Sequence, residues 1–239
     1  MAFLVSIALF TPARVGAQDG GFSKTVRLNG ADYSLEVSQT PKGEEYGYFM
    51  PGSEWPKDFD GLAAVQVCWE NPAPEFERER ALVRDAVQST WVKYSRLEFR
   101  GWRPCAARSR GIRIFVTDDG PYTKGLGRSL DGVPQGMVLN FTFGAWSPSC
   151  ASPAEYRDLC IKSIAVHEFG HGVGFVHEHN RHDRPGECIK APQGTSEGAV
   201  PLTPYDPSSV MNYCNPNYNN NGELSALDIE ALQKKYGKN

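Results

Sequence analysis

The sequence of 239 residues lacks several features that would point to particular partners. It has no dense run of Lys or Arg, and its formal net charge is -3 with a pI near 6.0. A protein that binds a phosphate backbone usually carries a basic patch, so nucleic acid is not an expected partner. No internal repeat occurs, and beyond the first residues no apolar stretch is long enough to cross a bilayer. The length fits one sizeable domain, which we expect to be a monomer without a membrane span.

The N-terminus is the one strongly apolar stretch. Met1 to Phe10 has about the length of a signal-peptide hydrophobic region, and the small residues Val15-Gly16-Ala17 resemble a cleavage site. This pattern predicts a signal peptide over residues 1–17 and a secreted chain, either extracellular or periplasmic. A buried N-terminal strand is the alternative, because the start lacks the usual Lys or Arg.

The cysteines form an even set, which in an exported chain usually indicates disulfides. Several connectivities are open, and zinc binding by cysteine is an alternative, although no pair has the C-x-x-C spacing of a structural zinc site. We expect neighbours along the chain to pair, because each such pair joins segments that the secondary-structure prediction places close together. The predicted pairs are Cys68 with Cys105, Cys150 with Cys160, and Cys188 with Cys214.

The remaining patterns predict an α+β fold. Residues 24–37 alternate around Asn29-Gly30 and predict a hairpin, so residues 18–50 are either a pro-segment or an N-terminal extension of the domain over residues 51–239. Period-two alternation predicts strands at 64–69, 111–117 and 136–143, and helical spacing predicts helices at 75–94 and 225–236. A helix start signal at Ser152 predicts a further helix at 152–172. We expect a twisted, mainly parallel sheet with two long helices above a cleft. Residues 180–222, rich in Pro, Gly, Asn and Ser, predict an irregular C-terminal part that ends in a helix.

The start of the second helix carries its own signal. Ser152-Pro-Ala-Glu155 has the spacing of a capping box with Pro at the first helical position.

All five histidines lie within sixteen consecutive residues, from position 167 to position 182. His167 and His171 are four residues apart, so a helix places both imidazoles on one face where they can reach one cation. Gly172 and Gly174 break the helix and let the chain turn, so that His177 approaches from another direction. Three nitrogen ligands with an open fourth position are typical of a catalytic zinc site rather than a structural one.

Glu168 lies beside a ligand on the same helix, where a carboxylate can take the proton of a zinc-bound water. A bare H-E-x-x-H motif arises by chance, but the extended form H-E-x-x-H-x-x-G-x-x-H is far rarer. The sequence therefore predicts one catalytic Zn²⁺ held by His167, His171 and His177. His179 and His182 are predicted to be surface or supporting residues, because the site already has three ligands.

The motif His167-Glu-Phe-Gly-His-Gly-Val-Gly-Phe-Val-His177 resembles the zinc motif of the metzincin clan. Its continuation, from Glu178 to Arg184, is similar to that of the astacin family. Ser209-Val-Met-Asn-Tyr213 resembles the methionine turn of the clan, although Met-His-Tyr is the commoner astacin form. The resemblance implies a zincin-like catalytic domain over residues 51–239. It also implies a secreted zinc metalloendopeptidase that hydrolyses protein or peptide substrates.

The resemblance also assigns roles to residues near the metal. Met211 would lie beneath the metal, near Gly174. Tyr213 would stabilise the oxyanion and serve as an extra zinc ligand, and Glu178 would receive the amino terminus of the processed chain. The strand at 136–143 would form the upper rim of the cleft, where a substrate adds as an extended strand.

Two alternatives and one regulatory hypothesis complete the prediction. The chain could be a catalytically silent zinc-binding or adhesion module of the same fold, or a member of another metzincin family. Residues 18–50 could shield the cleft, with Asp32 or a cysteine capping the metal.

Overall fold

The computed structural model describes residues 22–28, 31–37 and 47–239. The chain forms two compact units, Met1–Glu44 and Glu45–Asn239. In the first unit, strands β1 (Phe22–Leu28) and β2 (Ala31–Val37) pair antiparallel, with Leu28 opposite Ala31. This confirms the predicted hairpin. The predicted signal peptide at residues 1–17 lies outside the described residues.

A five-stranded sheet forms the upper part of the second unit, in the order β5-β4-β6-β8-β7. Its strands are β4 (Ala63–Trp69), β5 (Leu97–Pro104), β6 (Ile112–Val116), β7 (Tyr122–Thr123) and β8 (Met137–Leu139). All pairings are parallel except that of β7 with β8. The predicted α+β class with a mainly parallel sheet is confirmed.

Two strands differ from the sequence prediction. The sequence analysis missed β5, because only its first half alternates buried and exposed side chains before Gly101 interrupts the pattern. The strand predicted at 136–143 ends at Leu139, and Phe143 takes the left-handed conformation at φ 60°. The expectation that this strand forms the rim is wrong, because β7 lies outside it and is the edge of the sheet.

Two long helical segments pack together on this sheet. Helix α1 (Glu77–Val87) continues into a π turn at Gln88–Val92, and the short helix α2 (Pro148–Ala151) precedes α3 (Ala154–Gly172). The predicted capping box is wrong, because Pro153 holds the N-cap position of α3 and no side chain caps it.

The C-terminal half of α3 is buried on all sides, and polar groups from distant elements fix its end. Trp91 Nε1 donates to Val166 O at 2.9 Å, and Trp55 Nε1 donates to Gly172 O at 2.7 Å. Tyr236 Oη donates to Val173 O at 2.8 Å. The bonds to Gly172 O and Val173 O satisfy carbonyls that the helix end leaves without partners, and all three bonds set the position of the helix.

The lower part of this unit is mostly irregular, as predicted. Strand β3 (Gly47–Phe49) pairs antiparallel with β9 (Val200–Leu202), and the sequence analysis predicted neither. Helix α4 (Ala226–Tyr236) begins after Ser225, which forms a capping box with Asp228. Over the described residues, no helix is both long and apolar enough to span a bilayer.

Three disulfides form in the second unit, and they confirm the predicted pairing: Cys68–Cys105, Cys150–Cys160 and Cys188–Cys214. All six cysteines of the sequence are used. The hypothesis that a cysteine caps a metal is therefore wrong for this oxidised chain.

Candidate metal centre

Helix α3 carries His167 and His171, four residues apart and both buried. The helix ends at Gly172, and Gly174 takes φ +105°, a conformation that L side chains rarely adopt. A Cβ atom on Gly174 would also lie 2.7 Å from the ring of Phe49. Glycine is thus required at the turn that returns His177 toward the helix.

The three histidines bring one ring nitrogen each to a common point. His177 Nε2 lies 3.1 Å from His167 Nε2 and 3.2 Å from His171 Nε2. Zinc binds imidazole nitrogens at about 2.0–2.1 Å in tetrahedral geometry, which requires nitrogen separations only slightly larger than these. The three residues form a group that can hold a metal ion.

The other ring nitrogen of each histidine faces a backbone carbonyl. His167 Nδ1 lies 2.8 Å from Val210 O, His171 Nδ1 lies 2.8 Å from Phe175 O, and His177 Nδ1 lies 2.9 Å from Gln193 O. A carbonyl only accepts, so each Nδ1 carries the proton and each Nε2 presents a lone pair. Three converging lone pairs repel one another unless a cation lies between them, so this donor set fits Zn²⁺.

Burial keeps the imidazoles neutral. Burial, followed by the neighbouring histidines, lowers the pKa of His167 well below its usual value. The same two causes lower the pKa of His171 to about 3. Burial also lowers the pKa of His177, against its hydrogen bond to Gln193. Neutral imidazole is the form that binds a metal.

Glu168 is 3% exposed, and its Oε2 atom has no hydrogen-bond partner. Burial raises the pKa of this carboxyl to about 8. A cation held by the adjacent histidines would favour the carboxylate and lower this pKa. A buried oxygen without a partner, beside the candidate ligands, is suited to accept a proton from a substrate or water.

Tyr213 stacks with two histidines. Its ring lies 5.3 Å from that of His167 at an interplanar angle of 18°, and 4.7 Å from that of His179 at 20°. His179 is fully buried, and its Nδ1 lies 3.4 Å from Tyr213 N, so it supports the site as predicted, whereas His182 is exposed. Burial, and then the nearby Glu168 carboxyl, raises the pKa of Tyr213.

The turn that carries Met211 is fixed by a residue that the sequence analysis missed. Asp228, on α4, accepts hydrogen bonds from Ser209 Oγ at 2.6 Å and Val210 N at 2.9 Å. Val210 O is the partner of His167 Nδ1, so Asp228 is connected to the candidate ligand His167 through Val210. Only its capping-box spacing after Ser225 could have indicated a structural role.

Glu178 is 4% exposed, and its backbone N donates to Met211 O in this turn at 3.0 Å. Its Oε1 accepts from Asp206 N at 2.9 Å and pairs with Arg181 at 3.3 Å. Burial raises the pKa of Glu178 to about 8, although Arg181 opposes the shift. Arg181 also binds both oxygens of Asp183. Arg184 instead donates to the carbonyls of His179 and Lys190.

Two cavities of about 360 and 440 Å³ adjoin the histidines. Glu168 and Tyr213 line both of them, so the candidate centre lies at their boundary. The first contains Tyr122 of the edge strand, and the second contains Trp146 and Tyr218. The sequence analysis identified none of these three residues, because they lie in loops or short elements without a motif.

Comparison with known proteins supports the resemblance. Residues 156–190 match the model of the astacin peptidase family. Nematocyst expressed protein 6 of Nematostella vectensis is 31% identical over 90 residues, which is 32% of this chain and 31% of that protein. The chain thus matches less than a third of the length of this relative.

Solved structures show the fold. Myroilysin superposes with a TM-score of 0.56 at 20% identity, covering 81% of this chain and 100% of that one. High choriolytic enzyme 1, a hatching-enzyme zinc protease from the medaka Oryzias latipes, superposes with a TM-score of 0.52 at 20% identity. That match covers 78% of this chain and 96% of the other. The prediction of an astacin-like metzincin fold is confirmed.

Proposed function

We propose that this astacin-like metzincin is a secreted zinc-dependent metalloendopeptidase. One observation carries the proposal: His177 Nε2 lies 3.1 and 3.2 Å from the Nε2 atoms of His167 and His171, beside the unpartnered Oε2 of Glu168. His167, His171 and His177 would hold one Zn²⁺. Bound zinc supplies Lewis-acid chemistry, lowering the pKa of a water and polarising the scissile carbonyl.

Glu168 is the proposed general base and acid. Its carboxylate accepts the proton of the attacking water and then delivers that proton to the leaving amide nitrogen. Its burial supports this role, because a carboxyl in an apolar environment holds a proton more tightly than one in water. A nearby cation would lower the raised pKa, so that the carboxylate can form and accept the proton.

Tyr213 is the proposed stabiliser of the oxyanion. Its ring stacks with those of His167 and His179, so the hydroxyl is already oriented before the reaction. Tyr213 is also the proposed extra zinc ligand.

The cleft supports internal cleavage of a chain. The cavities on both sides of Glu168 give a substrate room to continue in both directions. Tyr122 and Thr123 form the outermost strand, to which an extended peptide can add by main-chain hydrogen bonds. The proposed substrates are therefore proteins or peptides.

Secretion and latency belong to the same proposal. Three disulfides are typical of exported proteins, and residues 1–17 are the proposed signal peptide. The part of residues 18–50 that precedes β3 is the proposed pro-segment, because β3 pairs with β9 in the second unit. Its removal would create an amino terminus that Glu178 receives. The buried carboxylate of Glu178 suits an ammonium group, because an opposite charge offsets the cost of its burial.

Metal analysis combined with peptide cleavage tests the proposal. We expect one zinc per chain and cleavage of an unfolded protein, both lost on chelation. The variant Glu168→Gln should keep the zinc and lose activity by a factor of about 100 to 10,000. The control is Glu187→Gln, because Glu187 is exposed and has no proposed role. This variant should keep full zinc and full activity.

The catalytically silent module is the competing function. It would be supported by one zinc per chain without turnover of any peptide, before or after removal of the residues that precede β3. Full activity of Glu168→Gln would instead show that the wrong base has been assigned.

A further inference from the structure

The larger cavity beside the candidate centre contains two exposed aromatic side chains. Trp146 is 41% exposed and Tyr218 is 43% exposed, and both line the cavity of about 440 Å³ next to Glu168. We call this cavity the Trp146–Tyr218 pocket. A single exposed aromatic residue needs no explanation, but two that face one cavity beside a reactive centre indicate a binding surface.

The wall that carries Trp146 is held in a strained conformation. Phe143 is fully buried at φ 60°, a region that bulky residues avoid. Asn140 Oδ1 accepts from Phe143 N at 2.8 Å, and Asp118 Oδ2 accepts from Ala145 N at 3.0 Å. The Trp146 ring packs against that of Phe143, with centroids 6.4 Å apart. This loop therefore holds the indole in place over the pocket.

The wall that carries Tyr218 is strained as well. The three residues after it, Asn219, Asn220 and Asn221, have φ values of 41°, 48° and 54°. The side chain of Asn220 accepts from Asn215 Nδ2 at 3.3 Å and donates to Glu223 O at 2.9 Å, which fixes the turn. Backbone strain of this kind persists where the surrounding structure enforces it and is concentrated at functional sites.

The chemistry of the lining indicates what fits. Pro121, Trp146, Tyr213 and Tyr218 offer apolar and aromatic surface. Among the described residues that line the pocket, Lys190 is the one formally charged side chain besides Glu168. An aromatic side chain could stack on these rings, whereas a Lys or Arg side chain would meet the charge of Lys190.

We infer that the Trp146–Tyr218 pocket determines the specificity of the enzyme by accepting an aromatic side chain adjacent to the scissile bond. The inference rests on the proposed peptidase function. Because Glu168 marks the boundary of the two cavities, this pocket receives a residue on one side of the cleaved bond, and the cavity near Tyr122 receives the other side.

Cleavage of a peptide set tests the inference. The set places Phe, Ala, Asp or Lys on each side of one scissile bond. On one side of the bond only, we expect kcat/KM for Phe to exceed that for Ala about tenfold, because an aromatic ring can stack in the pocket. The Lys peptide should be the poorest, because its charge meets that of Lys190. Trp146→Ala and Tyr218→Ala should each reduce the Phe-to-Ala ratio of kcat/KM several-fold.

Two controls keep the inference separate from folding and from catalysis. Phe59→Ala removes an aromatic ring that is fully exposed and outside both cavities, and it should leave the ratio unchanged. Binding of the same peptides to zinc-loaded Glu168→Gln, measured by fluorescence anisotropy, should show the same preference without turnover.

The outcomes are distinct. An active enzyme with equal kcat/KM for Phe and Ala on both sides would overturn the inference and leave the proposed function standing. An unchanged ratio in both folded variants would also overturn it. Preferential binding of the Phe peptide without cleavage would support the pocket and contradict the peptidase.

Discussion

Met211 packs its sulfur against the backbone of Gly170, which lies on α3 between the two helical histidines. A Cβ atom on Gly170 would overlap Met211 Sδ and would lie 3.1 Å from Trp91 Cζ2. The methionine turn and the helix can therefore approach this closely only because residue 170 has no side chain. Val210, whose carbonyl orients His167, precedes Met211, so this packing also sets the position of a candidate ligand.

The variant Gly170→Ala tests that relationship. Alanine favours a helix by about 1 kcal/mol over glycine, yet overpacking a core costs about 1–3 kcal/mol. We expect a net loss of stability on chemical denaturation and a weaker affinity for zinc. Gly186→Ala is the matched control, because a Cβ atom there meets nothing within 4 Å. A Gly170→Ala protein as stable as the wild type would contradict the packing argument.

The hydroxyl of Tyr213 should contribute to the rate and little to the structure. Tyr213→Phe keeps the ring that stacks on His167 and His179 and removes the proposed donor to the oxyanion. We expect kcat to fall about 100-fold, with KM changed only a few-fold and zinc content unchanged. Steady-state kinetics and metal analysis measure these quantities. Tyr94→Phe, outside both cavities, should behave as the wild type, and equal kcat values for the two variants would remove Tyr213 from the mechanism.

The disulfide Cys188–Cys214 should affect the metal more than the other disulfides do. Cys214 follows Tyr213, and Cys188 precedes the loop whose Gln193 carbonyl orients His177. Loss of partners that orient metal ligands typically lowers metal affinity about 10- to 100-fold.

The test replaces both cysteines of a pair by serine. Cys188→Ser with Cys214→Ser should lower zinc affinity and activity, whereas Cys68→Ser with Cys105→Ser should only lower stability, by about 2–4 kcal/mol. Competition with a chelator measures affinity in both proteins. Identical zinc affinities would show that the loop is held by other contacts.

Asp228 should make the stability of the protein depend on pH. Burial raises its pKa from 3.8 to about 6, so the folded state binds this proton more tightly than the unfolded state. The resulting stability is complete below pH 3.8 and is lost as the pH rises through about 6. The total is about 3 kcal/mol.

Asp228→Asn cannot ionise and can still accept from Val210 N while donating to Ser209. Relative to the wild type, its free energy of unfolding should therefore increase by up to about 3 kcal/mol between pH 4 and pH 7. Asp183→Asn should show the opposite sign, because Arg181 lowers the pKa of Asp183 and stabilises its charged form. Urea denaturation at several pH values measures both, and parallel curves for wild type and Asp228→Asn would refute the argument.

Much of the fold could be predicted because local patterns determine it. Alternation in β4 and helical spacing in α1 and α4 each reflect one buried face, which a sequence records directly. Strand β5 and the edge strand β7 could not be predicted, since they are short or interrupted and form only by pairing with strands already in place.

The sequence by itself determined the chemistry of the candidate centre. The spacing of His167 and His171 on one helix, the glycines after them and the adjacent Glu168 depend on helical geometry alone. Tertiary structure alone decided what surrounds these residues. Asp228 fixes the methionine turn, Tyr213 stacks with two histidines, and Trp146 and Tyr218 line one pocket. These contacts join residues distant in the chain through irregular loops, whose paths follow from packing and hydrogen bonding rather than from any periodic pattern.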